Sequence, residues 1–258
     1  MAHEDTLGGW GDRGKAAYFL EKADIVVPKR REQLHFLVDL LPWPAKEPLR
    51  VLDLGSGYGA VAEEILLRYP HSAVTCVDGS EEMVKLARES LAKYRSRVQL
   101  QLADLAHSDW QAGIDGPFHS IVSGLAIHHL TDERKRQLYI ELFDLLEPGG
   151  AFLNDDIVAA PPLFENRFRA IMHRDIQDQE RAIVGISRSI EEIQAEMNER
   201  LRVTPRDGYL PRAGEDTQRY DQRGYPVASP NRRSGRLFPQ HGQRINNYFD
   251  HDSCGRGW

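Results

Sequence analysis

The stretch Val51-Leu52-Asp53-Leu54-Gly55-Ser56-Gly57-Tyr58-Gly59-Ala60 sets a carboxylate two residues ahead of three alternating glycines. Glycines at this spacing let the backbone turn tightly and approach a ligand at the N-terminus of the following helix. The loop lacks the Lys-Ser/Thr ending of a phosphate loop, which removes nucleoside triphosphate hydrolysis from consideration. Gly55, Gly57 and Ala60 also satisfy the G-x-G-x-x-G/A pattern, with Asp78 at a suitable distance beyond, so an NAD(P)-dependent oxidoreductase is one reading. Asp53 argues against it. Two phosphate charges beside this carboxylate would be repelled, whereas an adenosyl ligand with a sulfonium and a cationic amino-acid tail would be attracted.

Two more carboxylates fit such a ligand. Asp78 closes an apolar run and is suited to accept both ribose hydroxyls, and Asp104 closes the next run and is suited to accept the exocyclic amine of adenine. Met83 and Leu105 are placed to sandwich the ring, although Met83 also reads as ordinary helix core. His128 and His129 are candidate general bases, with His128 taken as the catalytic residue, against a purely structural role for the His-His-Leu turn. Asn154, Asp155 and Asp156 raise a divalent-metal reading, but adjacent strand residues point to opposite faces and do not chelate together, so no metal site is assigned. Cys76 falls in a buried run, and Cys254 lacks zinc-ligand spacing.

These residues need a scaffold, and the chain supplies a βα alternation from Leu49 to Val158. Strands are expected at 49–54, 73–77, 97–102, 118–123 and 151–158, the last entered through a Pro148-Gly149-Gly150 turn. Helices are expected at 60–69, after Ser80 as N-cap with Met83, Leu86, Ala87 and Leu91 inward, and after Thr131 with Leu138, Leu142, Leu145 and Leu146 inward. The result is an α/β doubly wound sheet whose ligand site lies beyond the strand C-termini. Residues 1–48 form an N-terminal lid, with Trp10, Tyr18 and Phe19 ahead of an amphipathic helix over 29–41. Residues 161–202 form a charged helical segment.

Composition bounds the rest. The chain has 258 residues, 41% hydrophobic and 28% charged, with a formal net charge of −6. Two cysteines exclude a disulfide scaffold, and no apolar run is long enough for a membrane helix, so a soluble cytoplasmic protein without a membrane partner is expected. From Val203 to Trp258 there are nine Arg, seven Gly and five Pro but only five Ile, Leu or Val, a composition that does not offset ordering entropy. The segment reads as an irregular, disordered tail. Asn246-Asn247-Tyr248-Phe249 is its only strand-like signal, and an altered reading frame past about residue 200 is a second explanation. Its arginines are dispersed against six acidic residues, so nucleic acid is not the expected partner.

VLDLGSGYGAVA, CVDGSEEMVKLARE, LADL, FHSIVSGLAIHHL and LLEPGGAFLNDDIV, in this order and spacing, resemble the successive motifs of class I S-adenosylmethionine-dependent methyltransferases. The closer likeness is to the small-molecule branch that includes ubiquinone- and menaquinone-biosynthesis enzymes, over about residues 15–160. The resemblance implies a Rossmann-like fold, S-adenosyl-L-methionine as cofactor and a small-molecule methyl acceptor. It implies that Asp53, Gly55 and Gly57 hold the methionine portion, Asp78 the ribose, and Asp104 and Leu105 the adenine. Ser123 to Leu125 would flank the methyl donor, and Tyr18 would lie over the cofactor. The C-terminal β-hairpin usual in this family is not recognisable here, which leaves a degenerate cofactor-binding protein as the alternative reading.

Overall fold

The computed structural model describes Trp10, residues 13–158 and residues 161–203, all within one compact unit, Met1–Ala213. The expectations for the tail beyond Val203, including Asn246 to Phe249 and Cys254, lie outside the described residues.

Five parallel strands form one sheet in the order β3-β2-β1-β4-β5. They are β1 (Arg50–Leu54), β2 (Ala73–Asp78), β3 (Val98–Leu102), β4 (Phe118–Gly124) and β5 (Leu146–Asp155). Val51, Leu52, Asp53 and Leu54 of the central strand are all buried, because helices cover both faces of a parallel sheet. The two-residue period divides their contacts. Val51 and Val122 join one apolar cluster with Val61, Ile65 and Val74, while Leu52, Leu54 and Ile121 join the other with Phe118, Leu138 and Leu142.

The helices α3 (Ala60–Arg68), α4 (Glu81–Ser90) and α5 (Asp132–Leu145) follow β1, β2 and β4. Ser80 caps α4 by accepting the Met83 amide at 3.2 Å, and Thr131 caps α5 by accepting the Arg134 amide at 3.3 Å. Leu138 and Leu142 are the buried residues of α5, whereas Leu146, expected on the same face, already belongs to β5. The fifth strand therefore starts five residues before Ala151. Pairing slips between Phe118↔Leu146 and Ser120↔Ala151, so Pro148-Gly149-Gly150 forms a bulge inside the strand rather than a turn before it.

Two N-terminal helices, α1 (Arg13–Val26) and α2 (Arg30–Asp39), precede the sheet. The single helical segment expected after it is two helices, α6 (Pro162–Ile183) and α7 (Ile190–Val203). The break is local chemistry. Gly185 has φ +71°, and Ser189 and Glu192 exchange side-chain bonds to each other's backbone amides, a capping box that starts α7. Ile25, Ile176 and Ile193 join α1, α6 and α7 in a small third cluster. Asp175 of α6 fastens that layer to the start of α2, accepting the Lys29 amide at 3.1 Å and pairing with its ammonium at 2.9 Å. No helix among the described residues is long and apolar enough to cross a membrane.

Candidate functional site

The strand order reverses between β1 and β4, and a crevice opens there at the C-terminal ends of the strands, as doubly wound sheets require. The cleft holds about 1110 Å³, part of it open to solvent. Each strand end contributes: Asp104 follows β3, Asp78 ends β2, the glycine loop follows β1, Gly124 and Leu125 follow β4, and Asp155 ends β5.

Backbone geometry dictates the loop. Gly55 lies at φ +61°, and a Cβ there would stand 2.2 Å from the Ala126 Cβ, so the position excludes any side chain. Gly57, at φ +54°, has nothing within 4 Å of its would-be Cβ, so a side chain would take up open space along the cleft. The loop is sewn to β2 by the Ser56 amide on the Val77 carbonyl at 3.0 Å and by the Gly57 amide on Asp78 Oδ2 at 2.8 Å. Asp78 Oδ1 accepts the Ser80 amide at 2.8 Å. Burial raises the Asp78 carboxyl above its usual range, and the two amides act against that shift. Asp104 accepts the Ala106 amide at 2.8 Å, and Met83 and Leu105 line the same half of the cleft, 3% and 8% exposed.

Asp53 differs from these carboxylates. It is fully buried and neither oxygen has a hydrogen-bond partner. Burial pushes its carboxyl up to about 8, and Asp78 adds to the rise. It lies behind the glycine loop and is not among the residues lining the cleft. Ser123 is likewise buried, its hydroxyl donating to the Leu54 carbonyl at 3.0 Å, which ties β4 to β1 at the switch point. Leu125 does line the cleft. It stands at φ +56°, in the left-handed region, held by its amide on the Asp155 carbonyl at 2.8 Å.

Two sequence expectations need correction. Tyr18 is 37% exposed and not among the lining residues; its neighbour Phe19 and Trp10 line the cleft instead, ring centroids 5.2 Å apart. One residue along a helix turns the side chain by about 100°. His128 is buried away from the cleft, its amide and Nδ1 both on the Asp156 carboxylate at 2.9 and 2.5 Å. That bond holds Asp156 below the usual carboxylate range despite burial, which acts the other way. The histidine on the cleft is His129, whose Nε2 accepts the Trp10 indole N–H at 3.2 Å.

Sequence reasoning did not single out Arg30 as a site residue. It is the one Lys or Arg among the described lining residues, sits over the Tyr58 ring at 5.3 Å and pairs with Asp24 at 2.8 Å. No group of three or more His, Cys, Asp or Glu among the described residues could hold a metal. Cys76, paired in register with Asp53, is a buried free thiol raised well above its usual range by burial.

Residues 51–150 match the family model described as a methyltransferase domain. Over 119 residues the chain is 34% identical to malonyl-[acyl-carrier protein] O-methyltransferase of Geobacter sulfurreducens, covering 46% of this chain and 41% of that protein. It is 34% identical over 107 residues to trans-aconitate 2-methyltransferase of Rhodopseudomonas palustris, covering 42% and 38%. With demethylmenaquinone methyltransferase of Leptospira interrogans it shares 34% identity over 116 residues, covering 42% and 43%. The chain thus matches less than half the length of these relatives. The matched stretch contains the glycine loop, Asp78, Asp104 and the β4 end, and it is similar to the methyltransferase domains of these relatives.

Proposed function

We propose that this chain transfers a methyl group from S-adenosyl-L-methionine to a small-molecule acceptor in the cytoplasm. The observation that carries the reading is the orphaned Asp53 carboxylate, fully buried behind a glycine loop whose Gly57 borders open space. A buried acid without a partner favours a nearby cation, which this cofactor has and a dinucleotide pyrophosphate does not.

The residues fit the cofactor. Asp53 and Arg30 lie on either side of the glycine loop, complementary to the ammonium and carboxylate of the methionine tail, with Gly55 and Gly57 admitting its backbone. Asp78 keeps a free lone pair on each oxygen for ribose hydroxyls after accepting its two amides. Asp104, Met83 and Leu105 receive the adenine, and Gly124 and Leu125 border the sulfonium end, with Ser123 holding that strand end in place. The bound cofactor supplies an electrophilic methyl group. The chain's part is to align the acceptor and exclude water, which Trp10 and Phe19 do from above. Where an acceptor must lose a proton, His129 takes it only once the Trp10 indole N–H has left its Nε2. His128, bonded to Asp156, acts as a positioning residue for that turn.

Calorimetry with S-adenosylmethionine, S-adenosylhomocysteine and NAD tests the binding step. Tight NAD binding without S-adenosylhomocysteine binding would overturn it. Transfer of labelled methyl from the cofactor into a metabolite extract tests turnover, and binding without transfer to any metabolite would mark a degenerate binder.

A further inference from the structure

We infer that the acceptor end of the cleft is built for an amine, with Asp155 receiving the nitrogen and His129 beside it. This rests on the methyl-transfer reading above.

Position comes first. Asp155 ends β5, three strands from β2, and at about 4.8 Å per strand it lies roughly 14 Å from Asp78. It is therefore out of reach of the ribose hydroxyls assigned to Asp78. Two connections hold it on the opening. The Leu125 amide binds its carbonyl, and the neighbouring Asp156 is bonded to His128, so Asp155 and His129 face one end of the cleft.

Charge comes second. Asp78 and Asp104 each accept backbone amides, whereas the Asp155 carboxylate takes no hydrogen bond or ion pair among the described residues. His129 accepts a bond at Nε2 and so is the neutral imidazole, bringing no positive charge. Arg30 sits at the glycine loop and is already paired with Asp24. Among the described residues the acceptor end thus carries a carboxylate and no cation, which repels a carboxylate acceptor and draws an ammonium. Burial and the adjacent Asp156 raise the Asp155 carboxyl, which a cation would reverse. The Trp10 ring meets His129 with centroids 6.2 Å apart, and its aromatic surface favours a cation and its carbon skeleton.

The bound ammonium first loses a proton to solvent. The lone pair of the resulting neutral amine forms the new N–C bond as the C–S bond breaks, and sulfur keeps that bonding pair. Positive charge moves from the sulfonium to the nitrogen, which becomes an N-methylammonium. Its proton passes to solvent after release. Asp155 stabilises the charge where it develops, which is the form of catalysis expected of a fixed carboxylate.

The test is equilibrium dialysis of the S-adenosylhomocysteine-loaded protein against a mixed pool of primary and secondary amines and a pool of their carboxylic-acid counterparts. Amines should be retained over acids, and Asp155→Asn should cut that preference roughly tenfold, the scale of a lost charge-assisted hydrogen bond. S-adenosylhomocysteine affinity should stay unchanged in the variant. With labelled S-adenosylmethionine, label should enter the amine pool and fall in Asp155→Asn. Equal or stronger retention of acids, label in the acid pool alone, or a preference that survives Asp155→Asn overturns the inference. A wild-type protein that binds S-adenosylhomocysteine but prefers acids sinks this inference alone. One that binds none sinks the methyl-transfer reading as well.

Discussion

The two halves of the cleft, on either side of the glycine loop, are built differently. Around β2 and β3, carboxylates bond to backbone amides: Asp78 to Gly57 and Ser80, Asp104 to Ala106. Around β4 and β5, side-chain pairs are added to the main-chain bonds of Leu125 and His128: His128 with Asp156, His129 with Trp10. A half fixed by main chain changes little when its neighbours change, so it suits a constant ligand. A half made of side-chain pairs can be rebuilt one residue at a time, so it suits a ligand that differs among relatives.

That contrast can be broken most forcefully at the loop itself. Gly55→Ala should cost about 2–4 kcal/mol, adding left-handed strain to overpacking against Ala126. Urea denaturation should show the loss, and S-adenosylhomocysteine binding should vanish with it. Gly57→Ala, with open space around it, should cost only about 1 kcal/mol in the same assay. Equal losses at the two positions would mean that Ala126 does not press on the loop.

Asp53→Asn separates stability from binding. Its folded carboxyl, at about 8, lies above the unfolded value, so the folded state holds the extra proton and stability falls as pH rises from about 4 to about 8. The variant should flatten that decline, unfold at higher denaturant at pH 8, and bind the cofactor more weakly. A wild-type denaturation midpoint independent of pH over this range would refute the orphaned acid.

Asp78→Ala should weaken S-adenosylhomocysteine binding by roughly 1–3 kcal/mol by calorimetry. An unchanged dissociation constant would remove Asp78 from the ribose. The smallest effect sharpens the lid. Phe19→Ala should weaken binding by about 0.5–1.5 kcal/mol, whereas Tyr18→Ala should stay within about 0.5 kcal/mol. The reverse order would return the lid contact to Tyr18.

The same contrast explains what could be read from the amino acids. Strand ends were legible because buried parallel strands are continuous apolar runs that stop at a polar residue, which located Asp78 and Asp104 directly. Helix starts at Ser80 and Thr131 were legible because capping is local. The β5 start was not, since Leu146 keeps the helical spacing of α5 while its backbone has already become extended. The choice between His128 and His129, or Tyr18 and Phe19, depends on a rotation of one residue, which is decided by packing between distant segments. Arg30 and Asp155 lie outside the matched region, before and after it; Arg30 carries no local pattern, and the Asn154-Asp155-Asp156 run suggested a metal rather than a cleft-lining carboxylate.

Leu125 shows what the acceptor half gives up for its shape. A leucine at φ +56° costs roughly 1–2 kcal/mol that a glycine would not. Selection for heat tolerance alone should therefore drift this position toward glycine or asparagine, and each such variant would leave an emptier wall on the cleft where we propose the methyl group is transferred. Thermal robustness and turnover pull on this residue in opposite directions, so a library sorted for one and then for the other should return different amino acids at position 125.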